Sequence, residues 1–312
     1  MVRRGQRFAS TPPMDVNSRL PEASRFGMVY ASYSLSLHGL HLWRPRDTCD
    51  ASPLISIVIC TYGRPDSLDE ALRSLSNQTY RFFEIVFVTA KGHLSELRDQ
   101  GLRAAAGPLV VFIDDDVYCP ATWLENVVKV FQERPEVVGV SGPTHIKQFF
   151  RDKRDLFKYK WAKHLYDLWF LEGQASLPGH LSRCGAPTTG SNDEGCWYEG
   201  PVHYLEACNM AVRKKEALDA GGFDYAYTRT GEWCEVDLAQ RLKKSGALWF
   251  SPKASLEHRP SQSGIYASRL STQHRWNNFV HFQRKWIKPS FRRATYWLFV
   301  WGYLKMKNLQ MI

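Results

Sequence analysis

No aspartate or glutamate occurs between His258 and Ile312. The ten Lys and Arg of that stretch equal the whole net charge of +10, so the rest of the chain is balanced. Paired cysteine spacing is also missing. The seven cysteines, at 49, 60, 119, 184, 196, 208 and 234, are odd in number and contain no CxxC. They read as reduced thiols of a cytoplasmic protein, with Cys184 and Cys196 the pair that a glycine-rich loop would let bridge or share a metal. Arg3, Arg4 and Arg7 have no apolar run behind them, so no secretory signal is expected. The run Trp297 to Leu304 is eight residues, too short to span a bilayer. No phosphate-cradling glycine-rich loop opens the chain, which argues against nucleotidyl transfer. No internal repeat is visible.

What is present is enough apolar material for a substantial core: 312 residues, 44% hydrophobic and 13% aromatic. The most informative stretch is Val110-Val111-Phe112-Ile113-Asp114-Asp115-Asp116. Four apolar residues read as a buried strand, and the acids then fall at the carboxyl edge of a sheet, where open α/β folds bind ligands. Adjacent carboxylates repel, and a hard divalent cation relieves that repulsion. The plainer alternative is an acidic turn capping the next helix.

The flanking segments give the order. Ser56 to Cys60 is an apolar strand, interrupted at Gly63 and Pro65, and Asp66 can cap a helix carrying Leu68, Leu72 and Leu75. Glu84 to Val88 is another strand. Strand, helix, strand, helix and acidic strand end is the order of a doubly wound α/β sheet.

The stretches "PLISIVICTYGRPDSLDEALRSLSNQTY", "EIVFV", "LRDQGLRAAAGPLVVFIDDDV" and "GEWCEVDLAQRLKKSG" resemble the inverting family 2 glycosyltransferases of GT-A fold, over roughly residues 53 to 260. The resemblance implies a mixed, mostly parallel sheet flanked by helices, here followed by a helical tail. It divides the chain into an extended arm at 1–50, a catalytic domain at 51–260 and a basic aromatic tail at 261–312. Within the catalytic domain, 51–145 would be the nucleotide-sugar half and 146–260 the acceptor half.

The implied activity is metal-dependent, inverting transfer of a sugar from a nucleoside-diphosphate sugar, typically a UDP-sugar, to a hydroxyl of a glycan or lipid-linked acceptor. By position, Asp116 and Asp114 contact a Mn²⁺ or Mg²⁺ ion with His258, although a lone His is as readily structural. Thr61, Tyr62, Arg64, Asp66, Arg98, Asp114 and Asp115 fall on the nucleotide-sugar side. Glu206 and Asn209 fall on the acceptor side. Glu235 occupies the place of the family's catalytic Asp, with Glu232 as the rival base. One departure stands out: the family's second strand commonly ends in an Asp that bonds uracil, and this chain reads Val88-Thr89-Ala90.

Helical spacing separates Glu235 from Asp237. Glu235, Leu238 and Leu242 share one face, while Asp237 faces Arg241, an ion-pair spacing. Glu235 at the start of an apolar face should be partly desolvated, with a raised pKa that suits a general base. The tail supplies a further expectation. Basic residues interleaved with Trp, Phe and Tyr suit the cytoplasmic face of an anionic membrane, or else pack back on the body. The rival functions are a nucleotidyltransferase, a nucleic-acid binder using the tail, and a non-catalytic sugar binder. Three acids and Glu235 argue against the last, and no nucleic-acid partner is expected.

Overall fold

A computed structural model of the chain describes residues 28–35, 40–45, 53–61, 65–89, 91–146, 160–189, 197–259 and 272–308. Strands β1 (Met28–Leu35) and β2 (Leu40–Pro45) are followed by β3 (Ile55–Cys60), helix α1 (Pro65–Ser76) and β4 (Phe83–Val88). Helix α2 (Leu94–Ala104), β5 (Leu109–Asp114), the short β6 (Val117–Tyr118), α3 (Trp123–Glu133), β7 (Val137–Ser141) and β8 (Thr144–Ile146) come next. After α4 (Lys160–Tyr166) and a π-helical turn (Asp167–Leu171) come β9 (Pro178–Leu181), β10 (Pro187–Thr189) and β11 (Gly200–Pro201). The chain continues through β12 (Asn209–Arg213), α5 (Lys214–Asp219), α6 (Cys234–Leu242), β13 (Ala247–Phe250) and β14 (Leu256–His258). Helices α7 (Thr272–Trp286) and α8 (Phe291–Asn308) complete it.

The main sheet has nine strands in the order β1-β2-β4-β3-β5-β12-β7-β13-β11. Strands β3, β4, β5, β7 and β13 run the same way, and β12 is threaded antiparallel between β5 and β7. Successive side chains point to opposite faces, and both faces are covered, so the central strands are largely apolar along their length. Ile55, Ile57 and Ile59 face α1 and α3 through Leu68, Leu75, Trp123 and Val127, while Val58, Val110 and Phe112 face α2, α5 and α6. Helix α2 lies so close to β3 that a Cβ on Gly101 would meet Val58 Cγ1 at 2.3 Å. Buried Glu84 is satisfied by Ser56 Oγ and the Ala106 N–H, each at 2.6 Å.

Segments 28–35 and 40–45, read from sequence as part of an extended arm, form a hairpin that extends the sheet antiparallel from β4. Helix α7 packs inward. Phe282 joins the core beneath α6, and Phe279 joins Phe170, Leu171, Cys184 and Tyr296 in a separate aromatic cluster. Of the two expectations for the tail, packing on the body therefore holds for α7. The β9–β10 hairpin falls in a stretch whose sequence offers no periodicity. Among the described residues no helix is long and apolar enough to cross a membrane.

Candidate active site

Strands β3, β5, β7 and β13 all end at one edge of the sheet, so their carboxyl-terminal residues converge there. Asp114 is the last residue of β5. The chain then turns into β6, which pairs antiparallel with β14 so that His258 lies opposite Val117. That register carries His258 to the acidic triplet. Its Nε2 lies 3.0 Å from Asp116 Oδ1 and 4.0 Å from Asp114 Oδ2. The three ligand atoms lie within 4.8 Å of one another. The Arg259 N–H donates to the Asp116 carbonyl at 2.8 Å, and the Arg259 side chain is held by Glu70, by Glu257 and over the Tyr118 ring.

The middle acid differs from its neighbours. Asp115 is fully buried and accepts from Thr61 Oγ1 at 2.5 Å. It ties the end of β3 to the turn after β5, while Asp114 remains one-third exposed. Thr61 and Asp115, both assigned to donor binding from sequence, thus meet each other. Tyr62 and Arg64 lie outside the described residues, as do Ala90 and Cys196. Asp66 is exposed in the first turn of α1.

Arg98 links the triplet to the start of α6. It is buried on α2, with Nη2 3.5 Å from Asp114 Oδ1, and Nη1 donates to Cys234 Sγ at 3.6 Å. The Cys234 thiol in turn donates to Glu235 Oε2, also at 3.6 Å. Burial works to lower the pKa of Arg98, but Cys234, Asp114 and Glu235 more than reverse this, so the guanidinium stays charged. Burial raises the pKa of Glu235 above the ordinary carboxylate value, with Arg98 opposing it. Burial likewise pushes the Cys60 thiol up to about 12. The neighbouring Cys208 is raised by burial and then by Asp114 and Glu206, so both thiols stay protonated.

The loop before α6 fixes Glu235. Arg229, Gly231 and Trp233 all have positive φ, and Trp233 at φ 78° is the cap of the helix. Its ring stacks on Phe282 of α7, with centroids 4.7 Å apart. The same loop is laced to α2. Leu94 N–H donates to the Arg229 carbonyl at 2.8 Å and Ser95 Oγ to the Tyr227 carbonyl at 2.6 Å. Gly222 has φ 68°, and a Cβ there would meet Asp99 Oδ1 at 2.0 Å.

Glu232 is held elsewhere. It accepts from Thr230 Oγ1 at 2.6 Å and faces Arg275 Nε at 3.3 Å. Asn209 is buried, and its amide is used by Trp123 Nε1, the Pro143 carbonyl and the Ala254 carbonyl. The geometry therefore gives Asn209 a structural task. Glu206, just before β12, is half-buried at the carboxyl edge. Sequence reading missed Cys234, Arg259 and Trp233. All three adjoin assigned residues, which is a signal, but nothing local marks the left-handed backbone of Trp233.

Fold and site define an α/β protein with a carboxylate–imidazole cluster at the carboxyl edge and a desolvated glutamate across a buried arginine. The model of the family described as "Glycosyl transferase family 2" matches residues 56–91 and 89–190. The chain is 27% identical over 206 residues to a glucosyl-dolichyl phosphate glucuronosyltransferase of Haloferax volcanii, covering 57% of this chain and 58% of that protein. It is 22% identical over 115 residues to an uncharacterized glycosyltransferase of Haemophilus influenzae, covering 28% of this chain and 36% of that one. It is also similar to the solved mannosyltransferase PcManGT from Pyrobaculum calidifontis, in complex with GDP-Man and Mn²⁺. That likeness has 16% identity, 82% and 71% coverage of this chain and that one, and a TM-score of 0.49. Over residues 56–190 the chain is thus similar to glycosyltransferase family 2. It spans little more than half the length of the Haloferax relative.

Proposed function

We propose that the protein transfers a sugar, with inversion, from a nucleoside-diphosphate sugar to a hydroxyl of a lipid-linked or glycan acceptor. The observation that carries this reading is the buried Arg98, bridging Asp114 of the cation cluster and the Cys234–Glu235 helix start. Acid for the leaving diphosphate and base for the acceptor then lie on either side of one guanidinium. The relative named for glucosyl-dolichyl phosphate supports a lipid-linked acceptor.

Asp114, Asp116 and His258 offer two hard oxygen donors and an imidazole within 4.8 Å of one another, a set that suits Mn²⁺ or Mg²⁺. Such an ion, when bound, supplies Lewis acidity toward the leaving diphosphate. Asp115 and Thr61 hold the turn that presents the two acids. Glu235 takes the proton from the acceptor hydroxyl as its oxygen bonds to the anomeric carbon. The bond from that carbon to the diphosphate oxygen breaks, and the nucleoside diphosphate leaves with the electron pair. One displacement inverts the anomeric centre. Arg98 places a fixed positive charge where negative charge grows.

The test is a screen of UDP-, GDP-, dTDP- and CMP-sugars by thermal shift, with and without Mn²⁺, followed by NMR of the product's anomeric configuration. A UDP-sugar that raises Tm only with Mn²⁺ and an inverted product are expected. Asp116→Ala should abolish the Mn²⁺-dependent shift while keeping the unliganded Tm within a few degrees. An unchanged shift would remove the triplet from donor binding, and a retained configuration would remove the single-displacement mechanism.

A further inference from the structure

Two chain-distant helices present one apolar face. On α4 and the turn after it, Trp161, Leu165 and Leu168 recur at i, i+4 and i+7, and Trp161 is 65% exposed. On α8, Phe291, Leu298 and Trp301 recur at i, i+7 and i+10, and Phe291 and Leu298 are 76% and 69% exposed. Trp169 joins the two stripes. Its ring meets Phe291 edge-on at 6.4 Å, and its Nε1 donates to Thr295 Oγ1 at 3.0 Å. The residues beneath are packed rather than open, since Phe170 and Tyr296 lie 5.3 Å apart in the aromatic cluster. The face is thus a firm platform with its large side chains turned outward.

The charges around the face have one dominant sign. Lys160, Lys163, Arg292, Arg293 and Lys305 flank it, and α7 and α8 contain no acid. Several of these cations sit over the indoles, with Arg292 5.3 Å from the Trp169 ring, Arg293 4.9 Å from Trp297 and Lys305 5.6 Å from Trp301. Of the acids beside it, Glu172 is taken up by Arg292 and Arg183, and Asp167 accepts from the Ala175 N–H at 3.0 Å. Indole and cation side by side around an aliphatic centre is the chemistry of a lipid headgroup boundary. A second copy fits less well, because a two-fold interface would set this cationic rim against itself. Duplex nucleic acid would use the cations but not Phe291 and Leu298.

We propose that this face docks on an anionic lipid bilayer, with α8 lying in the plane of the interface. The docking stands on the face alone. Its consequence for catalysis rests on the transfer reading above: a ladder of rings, Tyr296 to Phe279 at 5.6 Å and Phe279 to Trp233 at 5.8 Å, connects the platform to the residue capping the Glu235 helix. A bound membrane would present a lipid-borne acceptor to that side of the site.

Flotation of the full chain with vesicles decides it. The protein is expected to float with phosphatidylcholine–phosphatidylglycerol vesicles and not with phosphatidylcholine alone, and less so as salt rises. Lys163→Ala should lower the partition coefficient about fivefold, as expected for one interfacial cation. The pair Leu298→Glu and Trp301→Glu should abolish flotation at unchanged far-UV circular dichroism. Trp197→Ser, at an exposed indole outside the two stripes, should change nothing. No flotation by the wild type, or full flotation by the Leu298→Glu, Trp301→Glu variant, overturns the proposal. So does a doubled wild-type mass by light scattering that the variant halves, which would assign the face to a second copy. Duplex-DNA retention without flotation would assign the cations to nucleic acid instead. None of these readouts depends on donor or turnover, so failure here leaves the transfer reading standing.

Discussion

Burial raises the proton affinity of Glu235, and Arg98 restrains it from rising further. A base must be ionised to act, so turnover should fall as pH drops through a pKa above the ordinary carboxylate value of about 4.3. The same shift carries a stability consequence. A carboxyl whose folded pKa is raised contributes stability that is fully present below the unfolded pKa and lost as pH rises through the folded pKa. At neutral pH the ionised Glu235 is therefore a cost to the fold. Glu235→Gln is expected to lower turnover by about 10²–10⁴ while leaving Tm at pH 7 equal or higher. Turnover against pH and a pair of melting curves check both halves. A fully active variant would move the base to Glu232, which Arg275 and Thr230 now hold.

At this scale the sequence was readable where chemistry follows local register. The acids end an apolar run, and Glu235 precedes a face of leucines, so both announce their surroundings. The Arg98–Cys234–Glu235 connection spans 137 positions from Arg98 to Glu235, and only the packing of α2 against the 222–231 loop creates it.

Among the elements, α6 and α7 depend on each other. Asp237 lies two residues beyond Glu235 and is 0% exposed. Arg241 Nε donates to it at 3.0 Å, Trp286 Nε1 at 2.6 Å and Tyr227 Oη at 3.3 Å, while Lys285 Nζ lies at 2.8 Å. The i, i+4 pairing with Arg241 is legible from spacing. The contributions of Tyr227, in the loop ten positions earlier, and of Lys285 and Trp286, some fifty positions on, are not, because no periodicity links α6 to either segment. That difference changes the expected size of the effect. An exposed pair contributes at most about 1 kcal/mol, whereas removing one partner of a buried pair costs about 3–5 kcal/mol. Asp237→Asn should accordingly lose about 3–5 kcal/mol in urea unfolding, with the residual folded fraction keeping its donor affinity. A loss below 1 kcal/mol would mean that α7 does not seal this carboxylate.

For the whole molecule, the question is whether the acid-free carboxyl end is an appendage or part of the domain. Its composition reads as a separate tail, because charge of one sign and many aromatics set it apart from the balanced body. Packing places it otherwise. Phe279 and Phe282 of α7 are 1% and 0% exposed, Gln283 donates to the Cys184 carbonyl at 3.1 Å, and Asn278 bridges both sides of Thr228 at 3.0 Å. Losing a buried Phe typically costs about 3–5 kcal/mol. Two of them together approach the roughly 5–15 kcal/mol that holds a whole domain folded. A chain ending at residue 271 is therefore expected to show no cooperative unfolding transition. One ending at Lys288 keeps both phenylalanines, the Trp286–Asp237 bond and the Trp233–Phe282 stack, so it should unfold cooperatively at a lower Tm than the full chain. Circular-dichroism melts of the two truncations settle the matter. A normal melt from the chain ending at 271 would show that α7 is dispensable and that Glu235 is positioned by α2 and its loop alone.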